Sequence, residues 1–382
     1  MWCKSCLCVF IFVLILNQFQ VDAQTGKRCT TPNGEYATCV SIYSCNHLLQ
    51  AVQTRDETQL RFLQKSQCTG YSNGPIVCCG RESNYVTTGN QATNGRVLLN
   101  NGDTPNKNFR RNPNIPNRES CGHDFSERIF GGEATAINEF PWMALLQYTN
   151  NSGYRRWACA GTLINNRYVL TAAHCVTGDI LSKVGRLVNV RIGDYDTENA
   201  VDCQGGLCNN PIDVGVEDAF AHAGYNNNNQ HRYNDIALVR LSREVKFTPF
   251  IQPICLPKIN EAATVGDRMS VAGWGRTEYA SRSGVKMKVE IPMAQRAQCT
   301  RAFASAGINL KSSQICAGGQ RGKDSCTGDS GGPLMTTAKD DPSTWYQEGI
   351  VSFGARCGTE GWPGIYTKVE YFLDWIHKNV RP

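Results

Sequence analysis

The sequence predicts an all-β domain preceded by a small module that disulfide bonds hold together. The chain has 382 residues, more than a single domain of roughly 250 residues needs, so a second module is expected. Short alternating segments such as Arg186–Ile192 and residues 347–353 are broken by Gly and Pro, which is typical of antiparallel β-structure. Nineteen cysteines indicate an oxidising compartment. Near the C-terminus, apolar residues at helical spacing predict an amphipathic helix: Val369, Phe372, Leu373, Ile376 and Val380.

Residues 1–23 have the pattern of a secretory signal peptide. Lys4 precedes an apolar run from Leu7 to Leu16, and a small-residue end at Ala23 offers a cleavage site. The run is shorter than the about 20 apolar residues that a membrane-spanning helix needs. Removing this segment discards three of the nineteen cysteines and leaves sixteen, an even number that can all pair. We therefore predict a secreted, extracellular protein.

Six cysteines fall within residues 29–79, a segment too short to bury a full hydrophobic core, so disulfide bonds are expected to stabilise it. They are Cys29, Cys39, Cys45, Cys68, Cys78 and Cys79. Spacing alone leaves all fifteen possible pairings open. Zinc binding is a poor alternative, because the matching Cys-x-x-Cys spacing is missing. Residues 80–120 contain no cysteine, many Asn and several Pro, and predict a flexible linker.

The segment 324–333, Asp-Ser-Cys-Thr-Gly-Asp-Ser-Gly-Gly-Pro, contains a candidate nucleophile, Ser330. A serine hydroxyl is a weak nucleophile at neutral pH, so it needs a base and N–H groups that hold the oxyanion formed on attack. The glycines allow a tight turn in which the N–H groups of Gly328 and Ser330 point at one spot. We predict that these two groups form an oxyanion hole. Taken alone, the segment is also consistent with an ordinary Gly-rich disulfide loop.

Two further segments supply the other groups that a serine nucleophile requires. Leu-Thr-Ala-Ala-His-Cys contains His174, and Asn-Asp-Ile-Ala-Leu contains Asp235. An apolar strand leads into the first segment and an alternating strand follows the second, so both side chains are expected to be held rigidly. His174 would act as general base and then acid, Asp235 would fix its tautomer, and Ser330 would attack the scissile carbonyl. The three motifs predict a serine endopeptidase.

With these motifs in the order His, Asp, Ser, residues 129–382 resemble the chymotrypsin-like serine proteases. The cysteine pattern of residues 29–79, ending in adjacent cysteines, resembles the clip domain of arthropod clip-domain serine proteases. The resemblance implies a chymotrypsin-like double β-barrel behind an N-terminal clip domain. It also implies eight disulfide bonds: Cys29–Cys78, Cys39–Cys68, Cys45–Cys79, Cys121–Cys255, Cys159–Cys175, Cys203–Cys208, Cys299–Cys316 and Cys326–Cys357.

The resemblance further implies a trypsin-like specificity pocket. Asp324 would lie at its base, and the segments around Ser352, Gly354 and Gly364 would form its walls. A buried carboxylate behind glycine walls suits a substrate Arg or Lys. Phe353 stands where the family more often has Trp, which is expected to alter the neighbouring subsite.

The resemblance also implies activation by proteolysis. Residues 121–128 would end a light chain, and cleavage between Arg128 and Ile129 would free an amine that pairs with Asp329. The bond between Cys121 and Cys255 would keep the two chains together. Arg128 also suits this chain's own predicted pocket, which leaves self-activation open.

Two surface features suggest modification or metal binding. Oxygen ligands on a flexible loop favour Ca²⁺, and here they are Asp194, Asp196, Asn199 and Asp202, with a solvated acidic turn as the alternative. Asn150 begins the glycosylation sequon Asn-Asn-Ser.

A net charge of +6 comes from scattered Lys and Arg without a basic, aromatic patch, so neither nucleic acid nor a membrane is expected as a partner. Catalysis of this kind needs no cofactor. The resemblance implies a haemolymph protease of an innate immune cascade that activates prophenoloxidase in melanisation, or processes another clip protease or the Toll-pathway cytokine precursor. An upstream protease would activate it and a serpin would inhibit it. The alternatives are a non-catalytic clip-domain homologue acting as a cascade cofactor, which the intact motifs disfavour, and a digestive trypsin, which would lack the clip module.

Overall fold

The computed structural model describes residues 26–32, 35–45, 48–49, 62–72, 74–80, 109–126, 134–259, 261–275, 282–320, 329–354 and 359–382. The chain divides into two compact units, residues 1–98 and 99–382. The predicted signal peptide lies outside the described residues. Within the described ranges, no helix has the length and apolar character needed to cross a membrane.

The first unit contains a four-stranded antiparallel sheet in the order β1-β2-β4-β3. Its strands are β1 (Arg28–Thr30), β2 (Tyr36–Ser41), β3 (Gln67–Ser72) and β4 (Gly74–Cys79), and a 3₁₀ turn covers Ile42–Ser44. A small cluster of buried side chains packs around Leu48 and Phe62. Three disulfide bonds supplement this small core, and they join the pairs that the resemblance implies: Cys29–Cys78, Cys39–Cys68 and Cys45–Cys79.

The first half of the second unit is a closed six-stranded antiparallel barrel in the order β11-β12-β7-β6-β5-β8. Its strands are β5 (Met143–Thr149), β6 (Arg155–Leu163), β7 (Tyr168–Thr171), β8 (Arg186–Ile192), β11 (Ile212–Ala221) and β12 (Ala237–Leu241). A short helix, α1 (Asp179–Lys183), precedes β8, and the hairpin of β9 (Asp202–Gln204) and β10 (Leu207–Asn209) follows it. Because every strand has two neighbours, the barrel has no open edge.

The second half is a six-stranded sheet in the order β14-β13-β16-β17-β18-β15. Its strands are β13 (Arg268–Gly273), β14 (Met287–Pro292), β15 (Gln314–Ala317), β16 (Pro333–Thr337), β17 (Trp345–Phe353) and β18 (Gly364–Lys368), and α2 (Arg296–Ala304) precedes β15. A single bridge between Met293 and Ala317 brings its two edge strands together. The all-β, two-barrel fold is confirmed, with the second barrel closed much more sparsely than the first.

The C-terminus forms the predicted amphipathic helix. A 3₁₀ turn over Val369–Phe372 leads into α3 (Leu373–Asn379). The apolar residues of the pattern are all buried in the main core of the second unit except Leu373, which is buried without joining that cluster. The helix therefore serves packing, as its pattern predicts.

The linker prediction is wrong at its C-terminal end. Residues 109–120 pack on the second unit: the Phe109 ring stacks on His377 with centroids 4.7 Å apart, and the Asn112 N–H donates to His377 Nδ1 at 3.0 Å. Arg118 pairs with Asp340 at 2.6 Å. These partners lie more than two hundred residues away in sequence, which is why the polar composition of the segment gave no sign of them. Residues 81–108 lie outside the described residues.

Candidate active site

His174 stands at the end of a buried strand of the first barrel. All four residues of β7 are buried, and the chain then turns through a 3₁₀ segment, Ala173–Cys175. The disulfide bond between Cys159 on β6 and Cys175 ties this turn to the barrel. The Tyr148 hydroxyl adds a hydrogen bond to the carbonyl of Cys175 at 2.7 Å. A disulfide bond and a buried hydrogen bond, both at Cys175, thus hold the turn that carries the imidazole.

Strand pairing brings Asp235 to His174. Because β12 runs antiparallel to β7, with Ala237 opposite Thr171, the residue just before β12 lies beside the residues just after β7. Asp235 Oδ2 lies 2.8 Å from His174 Nδ1, and Asp235 Oδ1 accepts the His174 backbone N–H at 2.9 Å. The carboxylate therefore fixes both the position and the tautomer of the imidazole.

Two residues of the second sheet hold Asp235 in turn. The Ser352 hydroxyl donates to Asp235 Oδ2 at 2.5 Å, and the Thr367 hydroxyl donates to the Asp235 carbonyl at 2.8 Å. Asp235 is fully buried, and burial acts to raise its pKa. The interaction with His174 and the hydrogen bond from Ser352 outweigh burial and hold the pKa below its usual value. Sequence reasoning placed Ser352 in the specificity pocket and missed this contact, for which no local signal exists.

Ser330 lies where the second sheet meets the first barrel. Its carbonyl accepts the N–H of Ala160, on β6 beside the strand that carries His174. The next residue, Gly331, has φ +81°, and a Cβ there would lie 2.2 Å from Thr171 Oγ1 and 2.5 Å from the Ala160 carbonyl. Only glycine permits this approach. The packing of the loop against both strands sets the position of the candidate nucleophile.

The second ring nitrogen of His174 is poised to take a proton. His174 Nε2 is buried, and the described part of the chain offers it no hydrogen-bond partner. Such contacts are often long in an enzyme without substrate and shorten when substrate binds. Since Nδ1 faces Asp235, Nε2 is the atom available to a serine hydroxyl.

Asp329 is buried directly before the candidate nucleophile. Its Oδ1 accepts the N–H of Gly275 at 2.9 Å, and Cβ atoms at Gly273 or Gly275 would lie within about 2.6 Å of its carboxylate. The two glycines allow the carboxylate to settle against this turn. Arg128 and Ile129, the predicted cleavage site, lie outside the described residues.

Part of the predicted specificity pocket is described. Ser352 lies near the end of β17, Gly354 directly follows that strand, and Gly364 begins β18 beside it. A Cβ at Gly354 would lie only 3.7 Å from the Gly364 Cα, so the two glycines face each other closely. Asp324, the oxyanion-hole residue Gly328 and the bond Cys326–Cys357 lie outside the described residues. The remaining implied bonds are present: Cys121–Cys255, Cys203–Cys208 and Cys299–Cys316.

The four predicted calcium ligands do not all converge. Asp194 is buried, and its Oδ1 has no hydrogen-bond partner within the described ranges. Burial, with a contribution from nearby Asp202, raises the pKa of Asp194 to about 6. The carboxylate of Asp196 instead accepts hydrogen bonds from the Glu198 N–H and the Asn199 amide. The Asp202 carboxylate likewise accepts the backbone N–H groups of Tyr195 and Asp196. Among the described residues, only Asp194 of the four therefore keeps a buried carboxylate oxygen without a hydrogen-bond partner.

Asn150, the sequon residue, lies on an exposed turn. Its side-chain oxygen accepts the N–H groups of Ser152 and Tyr154, both at 3.0 Å. The turn places the sequon at the surface, where a glycan could be attached.

Two packed antiparallel barrels with His174 and Asp235 on one and Ser330 at the junction define a serine endopeptidase of the chymotrypsin-like class. The protein-family model described as "Trypsin" matches residues 129–376. The model described as "Regulatory CLIP domain of proteinases" matches residues 29–79. The chain belongs to the trypsin family of serine proteases and carries an N-terminal CLIP domain.

Relatives match the chain along nearly its whole length. Phenoloxidase-activating factor 1 of Holotrichia diomphalia is 46% identical, over 98% of this chain and 99% of the relative. Serine protease 7 of Drosophila melanogaster is 43% identical, over 98% of this chain and 96% of the relative. The crystal structure of the Drosophila Grass clip serine protease of the Toll pathway has a TM-score of 0.59 at 32% identity, covering 92% of this chain and 97% of that one.

Proposed function

We propose that this protein is a secreted, zymogen-activated endopeptidase that cleaves after Arg or Lys in an extracellular proteolytic cascade. The observation that carries the proposal is the buried Asp235–His174 pair, with the free Nε2 of His174 available to Ser330. His174 takes the proton of the Ser330 hydroxyl as it attacks the scissile carbonyl. The imidazole then returns the proton to the leaving amine. The N–H groups of Gly328 and Ser330 hold the oxyanion.

We propose that three residues form a pocket for the cationic side chain of the substrate. Gly354 and Gly364 face each other closely, and neither has a side chain that would fill the space expected for the substrate side chain. Asp324, placed at the base by resemblance, supplies the negative charge that a substrate Arg or Lys needs when it leaves water.

Activation depends on cleavage after Arg128. The new Ile129 amine is expected to pair with Asp329, whose carboxylate is already buried beside Ser330. The Cys121–Cys255 bond and the packing of residues 109–120 support a light chain that stays bound after cleavage. Because that cleavage leaves the bond intact, activated protein should run as one species without reductant and as two with it.

Innate immunity is the biological setting that the relatives favour. A phenoloxidase-activating factor and a Toll-pathway clip protease both align along more than nine-tenths of this chain. We infer that the substrate is a protein precursor: prophenoloxidase, another clip protease or a cytokine precursor. An upstream trypsin-like protease would activate the enzyme and a serpin would inhibit it.

The substrate can be identified by incubating activated protein with each candidate precursor and sequencing the new N-termini. We expect one precursor to be cut after a single Arg or Lys, and Ser330→Ala to leave all of them intact. If the activated wild type cuts none but accelerates their cleavage by another protease, the chain is a non-catalytic cofactor.

We further propose a calcium ion at Asp194, with Asp202 nearby. The proposal is supported by Oδ1 of Asp194, which is buried and has no hydrogen-bond partner among the described residues. Arg191 Nη1, 3.5 Å from Asp194, and the buried Lys286 are competing sources of positive charge. Removing Ca²⁺ with a chelator should lower the melting temperature of wild type and leave Asp194→Asn unchanged. An unchanged melting temperature in wild type would assign the role to the two basic residues.

A further inference from the structure

We propose that Arg232 and Phe353 form a subsite that binds an acidic side chain of the substrate, two to four residues before the scissile bond. The inference rests on the proposed function, because it takes Ser330 as the nucleophile and Gly354 and Gly364 as pocket walls. It adds a second requirement to the Arg or Lys at the cleavage site.

Arg232 lies three residues before Asp235 and reaches the second sheet. Its Nη1 donates to the Ser352 carbonyl at 2.9 Å, and its guanidinium carbon lies 6.0 Å from the centroid of the Phe353 ring. Ser352 is the residue whose hydroxyl bonds Asp235. The guanidinium therefore lies at the end of β17, on the backbone of the residue whose side chain holds the Asp235 carboxylate.

The residues at the end of β17 place this guanidinium next to the proposed pocket. Ser352 and Phe353 lead directly into Gly354, which faces Gly364 across the proposed pocket. The pocket takes the side chain of the residue just before the scissile bond. We expect the preceding substrate residues to run along the end of β17, past Gly354 and Phe353. Arg232, which lies over Phe353, would then contact their side chains.

Hydrogen bonds hold the loop that carries Arg232 against the start of β15 and the segment before it. The Tyr233 hydroxyl donates to the Asn309 carbonyl at 2.7 Å, and the Gln314 amide donates to the His231 carbonyl at 2.9 Å. Arg232 itself has φ +46°, a conformation that costs a non-glycine residue about 1 kcal/mol and persists only where neighbours enforce it. The strained backbone and its bracing hold the guanidinium in place before a substrate arrives.

Within the described ranges, the charge at this position has no carboxylate partner. Among the described residues, no carboxylate forms an ion pair with Arg232, and one of its five N–H donors is used by Ser352. The nearby carboxylate of Asp179 is held by Lys183 and Asn227. A half-buried guanidinium with spare donors binds a carboxylate with two parallel hydrogen bonds. Lys311, over the Tyr233 ring at 4.7 Å, adds positive charge to the same loop.

The test uses activated full-length enzyme and peptides with Arg at the scissile bond. At each of the second, third and fourth positions before that bond, Glu, Gln and Lys are compared by kcat/KM, normalised by active-site titration. At one position we expect a Glu peptide to be cleaved about tenfold better than the Gln peptide, and the Lys peptide worse than both. Arg232→Gln should reduce the Glu-to-Gln ratio to about one.

Arg243→Gln is the matched control, because it removes the same charge at the far end of β12, where Arg243 is exposed. It should keep the wild-type ratio. Equal cleavage of Glu and Gln peptides by wild type, or a preference that survives Arg232→Gln, would overturn the proposal. If wild type cleaves none of the peptides, the proposed endopeptidase activity fails instead.

Discussion

The two barrels of the second unit contribute to the triad in different ways. The first is fully closed and positions His174 and Asp235 by strand pairing, a disulfide bond and two hydrogen bonds between the residues themselves. The second closes through one bridge and supplies Ser330 from a loop that depends on Gly331. The base and its acid therefore lie on a closed barrel tied by a disulfide bond, whereas the nucleophile lies on a loop, which we expect the proposed cleavage after Arg128 to order.

Among the substitutions that test the first barrel's part of the triad, Asp235→Asn should have the largest effect on activity. The amide cannot hold His174 in the tautomer that takes a proton at Nε2, so kcat should fall by about 10⁴-fold. Hydrolysis of an arginine peptide, with thermal melting as a folding check, measures this effect. Asp213→Asn, which alters an exposed partner of Arg191, is the control and should keep full activity. A loss below tenfold for Asp235→Asn would contradict the assigned role.

Asp324→Ser tests the pocket of the second barrel. Removing the only charge expected at its base should lower kcat/KM on Arg and Lys peptides by about 10³-fold and change apolar peptides far less. The comparison of the two peptide classes in one variant controls for misfolding. Equal losses on both classes would place the specificity elsewhere.

Ser352→Ala probes the hydrogen bond that the second barrel donates to the Asp235 carboxylate. Loss of the 2.5 Å hydrogen bond to Asp235 leaves the carboxylate held by His174, so we expect kcat to drop about tenfold with KM little changed. Ser270→Ala, at a buried serine of the same sheet, is the matched control. An equal drop in the control would mean that general destabilisation of the sheet causes the effect.

Glu348 is buried on β17 and is expected to make the stability of the second barrel depend on pH. Burial, with a contribution from Glu370, raises its pKa to about 7. Since the folded pKa lies above the unfolded value, the associated stability is complete below about pH 4.5 and lost as pH rises through 7. Between pH 4.5 and 8 we expect wild type to lose about 3 kcal/mol of unfolding free energy relative to Glu348→Gln.

Urea unfolding at the two pH values measures that difference. Glu290→Gln, an exposed position on β14, should follow wild type. A pH dependence in Glu348→Gln equal to that of wild type would remove Glu348 as its source.

The sequence predicted best those features that depend on residues close together in the chain. The motifs around His174, Asp235 and Ser330, the strands beside them and the C-terminal helix all follow from short patterns, and the structure bears out those strands and that helix. Contacts between distant segments had no such signal. The packing of Asn112 on His377, the support of Asp235 by Ser352 and the reach of Arg232 onto Phe353 depend on the tertiary fold. The tertiary fold decides which partner lies beside a polar residue, and the amino-acid composition of a segment carries no information about that partner.

The central claim is that a preformed Asp235–His174 pair works with a Ser330 that becomes competent only after cleavage at Arg128. Hydrolysis of an arginine peptide should be compared for intact wild type, wild type cleaved after Arg128, and Ser330→Ala cleaved in the same way. The account predicts rapid turnover by cleaved wild type alone, with Ser330→Ala lower by several orders of magnitude. Comparable turnover by the intact chain, or by the cleaved Ser330→Ala protein, would contradict it.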